Sequence, residues 1–280
     1  MSSSSTFPLQ LPVGSQTPFL TLTRPSPIIW QIELHNGVDN RLVRALINDA
    51  FKPALQIVER EWRKERAEGK AKKDKNAGAA ALIIVGRLDQ EKFFSNGFDF
   101  PDIKDDTSWF PASFDPLLLD LLTFPIPTVA AINGHCFAGA AIITLACDYR
   151  VMTDGAKRNA WLCMNEVDFG AAWAVSFAAL VRAKVSGLVA RKFALEGHRF
   201  TPPEARDAGL VDEIVPGGTQ GVLKRAQEIA QENAPKAREG VWGVIKVELY
   251  RPLIELVRLG MPTISVVGYE SAAKVRLAKL

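Results

Sequence analysis

Residues 121–147 contain no Asp, Glu, Lys or Arg. A charge-free stretch of that length either crosses a membrane or lies buried in a folded domain. Pro125 and Pro127 break it near its start, and Asn133, Gly134 and His135 interrupt its middle. Pro-x-Pro and Asn-Gly mark boundaries between elements, not the interior of one long helix. The pattern therefore predicts a buried strand over 128–132, a turn, and a small-residue helix over 138–146, with no membrane span.

Other apolar runs fit the same plan. Residues 80–85 (Ala-Ala-Leu-Ile-Ile-Val) form a short continuous run after a glycine, as a buried parallel strand does. Residues 149–152 predict another. Strands are also expected over 19–23 and 28–34, the second with Ile28, Trp30, Ile32 and Leu34 on one face. Between 42 and 58 the apolar residues recur at helical spacing; Pro53 predicts a kink or restart there, and the charged run from Glu61 an end. After Pro216-Gly217-Gly218 the composition turns helical, over 222–233 and 241–257. Alternating strand and helix signals give an α/β class. The resulting division is a flexible tail over 1–18, rich in Ser, Thr, Pro and Gln, a core over 19–216, and a C-terminal helical segment over 217–280.

Composition removes some function classes. The net charge is only +3, so nothing global points to nucleic acid as a partner. The basic surplus in 61–75 reads as solvated surface. Cys136, Cys147 and Cys163 are odd in number, lack a disulfide framework and have apolar neighbours, which predicts buried thiols in a reducing compartment. His35, His135 and His198 are scattered without ligand spacing, so no metal is expected.

Three local phrases carry the chemistry. The first is Phe93-Phe-Ser-Asn-Gly-Phe-Asp-Phe100. The second runs from Pro127 through Ile132-Asn-Gly-His-Cys-Phe-Ala-Gly-Ala-Ala141 to Ala146-Cys-Asp-Tyr-Arg150. The third is Asn165-Glu-Val-Asp-Phe-Gly170. On residue types alone, Gly97 and Gly139 fit an ordinary turn and a close-packed helix. They fit equally a pair of main-chain donors aimed at one anion: glycine lets a backbone turn tightly, and a helix start offers unpaired N–H groups. Glu166 is set among Trp161, Leu162, Met164, Val167 and Phe169, apolar neighbours that would desolvate its carboxyl and raise its pKa; a salt-bridged structural glutamate fits the same residues. Asp168, two residues on, reads as a cap or ion-pair partner.

In this order and spacing the three phrases, together with 205–216 (Ala-Arg-Asp-Ala-Gly-Leu-Val-Asp-Glu-Ile-Val-Pro), resemble the enoyl-CoA hydratase/isomerase (crotonase) superfamily from Phe19 onward. The resemblance implies a spiral of ββα units with a C-terminal helical segment. It implies an acyl-CoA thioester as substrate, so that CoA is part of the substrate and no separate cofactor is needed. It makes the amides of Phe98 and Gly139 an oxyanion hole and places CoA near Ser95, Asn96, Gly97, Asp99 and Phe100, Ser95 meeting the adenine through its main chain.

Hydratases of this family use two glutamates. The place of the first is Ile142 here, and Glu166 matches the second. One carboxylate suffices to move a double bond, so the resemblance is closest to a peroxisomal Δ3,Δ2-enoyl-CoA isomerase. The alternatives are a hydratase, a dienoyl-CoA isomerase (whose usual second carboxylate falls on Ala174) and a non-catalytic acyl-CoA-binding homologue. Phe94, Phe98, Phe100, Trp109, Phe110 and Phe114 fit either an acyl channel or plain core, and the 101–111 loop is where chain-length preference is expected. The terminus Ala278-Lys279-Leu280 resembles a peroxisomal address read by the import receptor. A homotrimer or hexamer is the assembly implied.

Overall fold

The computed structural model describes residues 6–103 and 106–279, with the side chain of Asp102 left aside. The first half of the chain contains β1 (Leu9–Leu11), β2 (Leu20–Ser26), β3 (Ile29–Leu34), α1 (Lys52–Ala71), β4 (Ala81–Val85), β5 (Phe93–Ser95), α2 (Phe100–Ile103), α3 (Asp115–Leu122), β6 (Thr128–Ile132) and β7 (His135–Phe137). Then follow α4 (Gly139–Ala146), β8 (Tyr149–Thr153), β9 (Leu162–Cys163), α5 (Glu166–Phe169), α6 (Val175–Lys184), α7 (Gly187–Leu195), α8 (Pro202–Asp207) and β10 (Glu213–Val215). The C-terminal part holds α9 (Gly218–Asn233), α10 (Trp242–Leu249), α11 (Arg251–Arg258) and α12 (Val266–Leu277).

Two sheets organise these elements. The larger has the order β1-β2-β3-β4-β6-β8-β10, antiparallel through β3 and parallel from β3 to β10. The smaller is β5-β7-β9, all parallel. The chain visits a strand of the large sheet, a strand of the small sheet and then helix, three times over, which is the ββα spiral expected. The central strands β4 and β6 of the large sheet are buried at every position because both their faces are covered. Leu82 and Ile84 of β4 point into the main core, while Ala81, Ile83 and Val85 meet Val222, Ala226 and Ile229 of α9. The charge-free 121–147 stretch becomes the end of α3, β6, β7 and α4, nearly all of it buried. Among the described residues no helix is long and apolar enough to cross a membrane.

Several boundaries differ from the sequence expectations. Leu9–Leu11 pairs with Leu20–Leu22 as an edge strand, so this part of 1–18 is not a loose tail; residues 1–5 lie outside the described residues. Leu11 supplies a buried side chain that anchors it. The helix around Pro53 does not break. Leu46–Phe51 winds with widened turns and runs straight into α1, which gives the proline ring room against the preceding turn. Nor does the charged run end α1, which continues to Ala71. Glu, Lys, Arg and Ala are good helix formers, and Arg63 pairs with Glu59 one turn earlier at 2.6 Å. The segment after residue 216 packs on the core, as one of its two expected settings: α9 covers one face of the large sheet. The helix expected over 241–257 is two, α10 and α11, meeting at Tyr250 before Pro252.

A buried ion pair fastens α10 to the sheet. The Asp148 carboxylate accepts from Thr128 N (2.9 Å), Thr128 Oγ1 (3.0 Å) and Trp242 Nε1 (3.1 Å), and lies 2.9 Å from Lys246 Nζ. Removing one partner of a buried pair strands the other charge. Asp148→Ala leaves Lys246 alone, whereas Lys246→Met leaves Asp148 three donors. Urea unfolding is expected to show Asp148→Ala losing about 3–5 kcal/mol and Lys246→Met clearly less. Equal losses would contradict this account.

Candidate active site

The three strands of the small sheet run in the same direction, and each delivers one piece of the site beyond its C-terminal end. After β5 the chain turns at Gly97, whose φ of +72° favours glycine. A Cβ there would lie 2.7 Å from Phe137 O and 2.8 Å from Ala138 Cβ, so the glycine also permits contact with the segment entering α4. The turn is stapled from behind. The Ser95 hydroxyl, fully buried, donates to Asn40 O (2.6 Å) and accepts from Gly97 N (3.2 Å). Asn40 Nδ2 donates to Phe94 O (2.7 Å), and Asn96 N donates to Asp39 O (2.9 Å). Arg41 Nη1 donates to the carbonyls of Asn96 (3.1 Å) and Phe98 (2.8 Å). Leu42 N takes Gly97 O (2.8 Å).

After β7 the backbone reaches Ala138 with φ 52° and ψ −126°, a strained conformation for a residue with a Cβ. It is held by Ala138 N donating to Cys163 O at 2.8 Å. The strain turns the chain abruptly into α4, whose first amide is that of Gly139. Among the described residues neither Gly139 N–H nor Phe98 N–H donates to a protein acceptor. Gly139 is required by packing as well, because a Cβ would lie 2.5 Å from Phe98 Cζ.

After β9, Glu166 opens α5. It is 6 % exposed, and its Oε2 has no hydrogen-bond partner. Burial pushes its pKa from an ordinary 4.5 to about 7, with its own backbone N–H and the Trp173 indole pulling weakly the other way. Trp173 Nε1 is close enough to be felt but makes no hydrogen bond, and it too is buried and unpartnered. The desolvating groups are not all those expected. Leu162 and Met164 are buried, but Val167 and Phe169 are 49 % and 46 % exposed, and Trp161 stacks on His135 (4.9 Å). Trp173, absent from the sequence reading, takes part of that role. Ile142 and Ala174 are buried apolar residues. Asp168 is exposed; its carboxylate would lie 2.9 Å from a Cβ on Gly197, and among the described residues it makes no ion pair or cap.

The structure thus brings Phe98, Gly139 and Glu166 to one end of one sheet. Asn96, Gly97 and Asp99 surround the first turn. Asp99 lines a small hollow of about 150 Å³ with Arg44 and Trp109. Phe100 meets Phe169 edge to face at 5.1 Å, which ties the first turn to the helix carrying Glu166. Several of the other aromatics form one cluster. Phe98 has Trp109, Phe110, Phe114 and Phe177 around it at 4.9–6.0 Å. Residues 104 and 105 of the 101–111 loop lie outside the described residues. Asn40 and Arg41 were missed because their role depends on a partner some 55 positions away. By residue type, His35-Asn-Gly-Val-Asp-Asn40 is turn and cap chemistry, which gives no sign of so distant a partner. The three cysteines are free and buried, with Cys147 and Cys163 pushed up to about 12 by desolvation. Among the described residues no group of His, Cys, Asp and Glu is arranged for a metal.

Residues 59–249 match the enoyl-CoA hydratase/isomerase family. The chain belongs to this family. Enoyl-CoA delta isomerase 3 of Arabidopsis thaliana is 34% identical over 203 residues, 67% of this chain and 80% of that protein. The peroxisomal enoyl-CoA delta isomerase 2 of the same plant is 36% identical over 183 residues, 61% and 74% of the two chains. Solved structures of family members share the fold. An enoyl-CoA isomerase of Mycobacterium tuberculosis superposes with a TM-score of 0.63 at 23% identity, over 86% of this chain and 95% of that one. A family protein from Pseudomonas syringae gives 0.68 at 21%, over 86% and 94%.

Two outcomes follow from this geometry. Gly139→Ala forces a methyl group into the Phe98 ring and is expected to cost about 1–3 kcal/mol in denaturant unfolding; an unchanged midpoint would contradict the close contact. For Glu166 the folded pKa lies above the unfolded one, so the folded state holds more protons between them. Stability is therefore lost as pH rises from about 4.5 to about 7. Glu166→Gln should be more stable than the parent at pH 8 by up to about 3 kcal/mol, the difference shrinking to nothing below pH 4. A pH-independent difference would show that the carboxylate is not desolvated.

Proposed function

We propose that this family member is a Δ3,Δ2-enoyl-CoA isomerase working with one carboxylate. The observation that carries the proposal is the buried, unpartnered Glu166 at the same sheet end as the two free amides, with Ile142 where a hydratase has its other glutamate. The ionised Glu166 takes a proton from C2 of a 3-enoyl-CoA. The C2 electron pair becomes a C1=C2 bond as the carbonyl pair moves onto the thioester oxygen; when the same carboxyl returns the proton at C4, the oxygen pair reforms the carbonyl, the C1=C2 pair becomes the new C2=C3 bond and the old C3=C4 pair forms the C4–H bond. Between the two transfers the negative charge rests on the thioester oxygen, held by the N–H groups of Phe98 and Gly139. Each such donor contributes about 3 kcal/mol to the transition state. A pKa near 7 suits a group that must first accept and then give a proton. Nothing in this cycle calls for a water to be activated, which is why a single carboxylate is enough. The names of the two Arabidopsis relatives support isomerisation.

A peroxisomal location belongs to the same proposal and rests on relatives that carry that word in their names; of the terminal tripeptide, Leu280 lies outside the described residues. Self-association is supported by the exposed Val244, Ile245 and Leu249 of α10 and Val266, Val267 and Tyr269 of α12.

Turnover of 3-hexenoyl-CoA, 2-hexenoyl-CoA and a 3,5-dienoyl-CoA tests the reading. Isomerisation of 3-hexenoyl-CoA should dominate, fall by at least about a hundredfold in Glu166→Gln, and rise with pH to a plateau above about 7, because the base must be ionised. Dominant hydration of 2-hexenoyl-CoA, or full activity in Glu166→Gln, would refute it.

A further inference from the structure

Three consecutive carbonyls of the turn after β5 are held by two residues from far upstream. Leu42 N donates to Gly97 O at 2.8 Å. Arg41 Nη1 donates to Asn96 O at 3.1 Å and to Phe98 O at 2.8 Å. Leu42 and Phe98 form a parallel bridge, so the upstream segment lies alongside the turn. In a trans peptide the C=O and N–H point in opposite directions. With Gly97 O turned toward Leu42, the N–H of the same peptide, that of Phe98, points away from it. The turn also adjoins the start of α4: a Cβ on Gly97 would lie 3.4 Å from Gly139 N. Gly97 has no side chain to brace the peptide and is permissive in its backbone, so the restraint has to come from outside the turn.

We infer that Arg41 is a positioning residue for the Phe98 donor: its guanidinium bridges the carbonyls on either side of the Gly97–Phe98 peptide and keeps the N–H of that peptide aimed at the thioester oxygen. The inference rests on the proposed role of the Phe98 and Gly139 amides. The other contact of the guanidinium does not explain its place. Asp39 Oδ2 is 3.5 Å from Arg41 Nη2, and the two side chains are 37% and 40% exposed. An ion pair that open to water contributes little. Hydrogen bonds from a charged donor are among the stronger ones. Asn40 acts elsewhere, since its amide donates to Leu34 O (2.9 Å) and Phe94 O (2.7 Å), both ahead of the turn. Without Arg41 the carbonyls of Asn96 and Phe98 lose this donor, and the peptide between them is free to tilt about its bond to Leu42 N. A tilt takes the N–H off the line to the oxygen, and a preorganised dipole is effective only while it stays on that line.

Kinetics and infrared spectroscopy of the full chain test this together. Arg41→Met should lower kcat for 3-hexenoyl-CoA about ten- to a hundredfold, with KM changed by less than about twofold, as for a contact that matters only in the transition state. Hexanoyl-CoA has no double bond to move, and its isotope-labelled thioester carbonyl reports the donors directly. The carbonyl stretch should drop in frequency on binding to the parent and return toward the free value in Arg41→Met. Arg41→Gln, which lacks both charge and length, should match Arg41→Met. Arg41→Lys keeps charge and donors and should recover most of kcat and of the frequency drop. A raised KM with kcat and stretch unchanged would make Arg41 a contact of the CoA moiety and overturns the inference. Parental behaviour in both Arg41→Met and Arg41→Gln does so as well. Failure of both to fold, read by circular dichroism, would make the residue structural only, which is a third way to overturn it. The two readings are separable. A frequency drop lost in Arg41→Met, in a chain that does not isomerise 3-hexenoyl-CoA, refutes the isomerase and leaves the positioning role. Isomerisation lost in Glu166→Gln but untouched by Arg41→Met refutes the positioning role alone.

Discussion

The hydrogen bonding of three short parallel strands is the constraint on which the candidate site depends. β5, β7 and β9 contribute only a few ladder positions, yet they set where Gly97, Gly139 and Glu166 emerge. The bond from Ala138 N to Cys163 O joins the last residue before one site element to the strand that leads into another. Because the strands are parallel, their C-terminal ends lie on one side, and loops from distant parts of the sequence meet there. Backbone dipoles placed this way are already oriented before any ligand arrives, which is what makes an anion site effective.

Keeping that end of the sheet ready opposes stability. Ala138 holds a backbone conformation that a residue with a Cβ avoids, two amides have no protein acceptor, and a carboxylate is buried without a partner. Each is unfavourable in isolation. They persist because the surrounding core is extensive and because backbone staples from Asn40, Arg41 and Ser95 leave the first turn no alternative shape. Such conflict between local rules and global structure is concentrated where function is expected. The same logic separates Glu166 from Asp148. Both are buried, but Asp148 is surrounded by donors and a lysine and serves to fasten α10, whereas Glu166 has no lysine beside it, its Oε2 has no hydrogen-bond partner, and burial pushes its pKa up to about 7.

The sequence made much of the scaffold legible. Continuous apolar runs marked β4, β6 and β8 within a residue or so, because strands covered on both faces need no polar positions. Its failures had physical causes. A charged run was read as the end of a helix, although charged residues with i,i+4 partners extend one readily. Leu9–Leu11 was assigned to a tail because three residues carry too little pattern to show that an edge strand will pair with β2. Dense aromatics around Phe98 fitted a channel or a core equally well in the sequence; the structure shows that Phe98 touches Phe114 and Phe177 as part of one ring cluster.

What the sequence alone determined is the set of chemical parts: glycines where a backbone must turn or be approached closely, and a glutamate whose neighbours along the chain are apolar. These follow from side-chain chemistry and order along the chain, whereas the meaning of Ile142 came only from the family resemblance. Only the tertiary structure decided which parts meet. It placed Asn40 and Arg41 behind the Gly97 turn, set Trp173 beside Glu166 and gathered the ring cluster around Phe98. Those are contacts between segments far apart in sequence, fixed by how sheets and helices pack, and no local pattern encodes them.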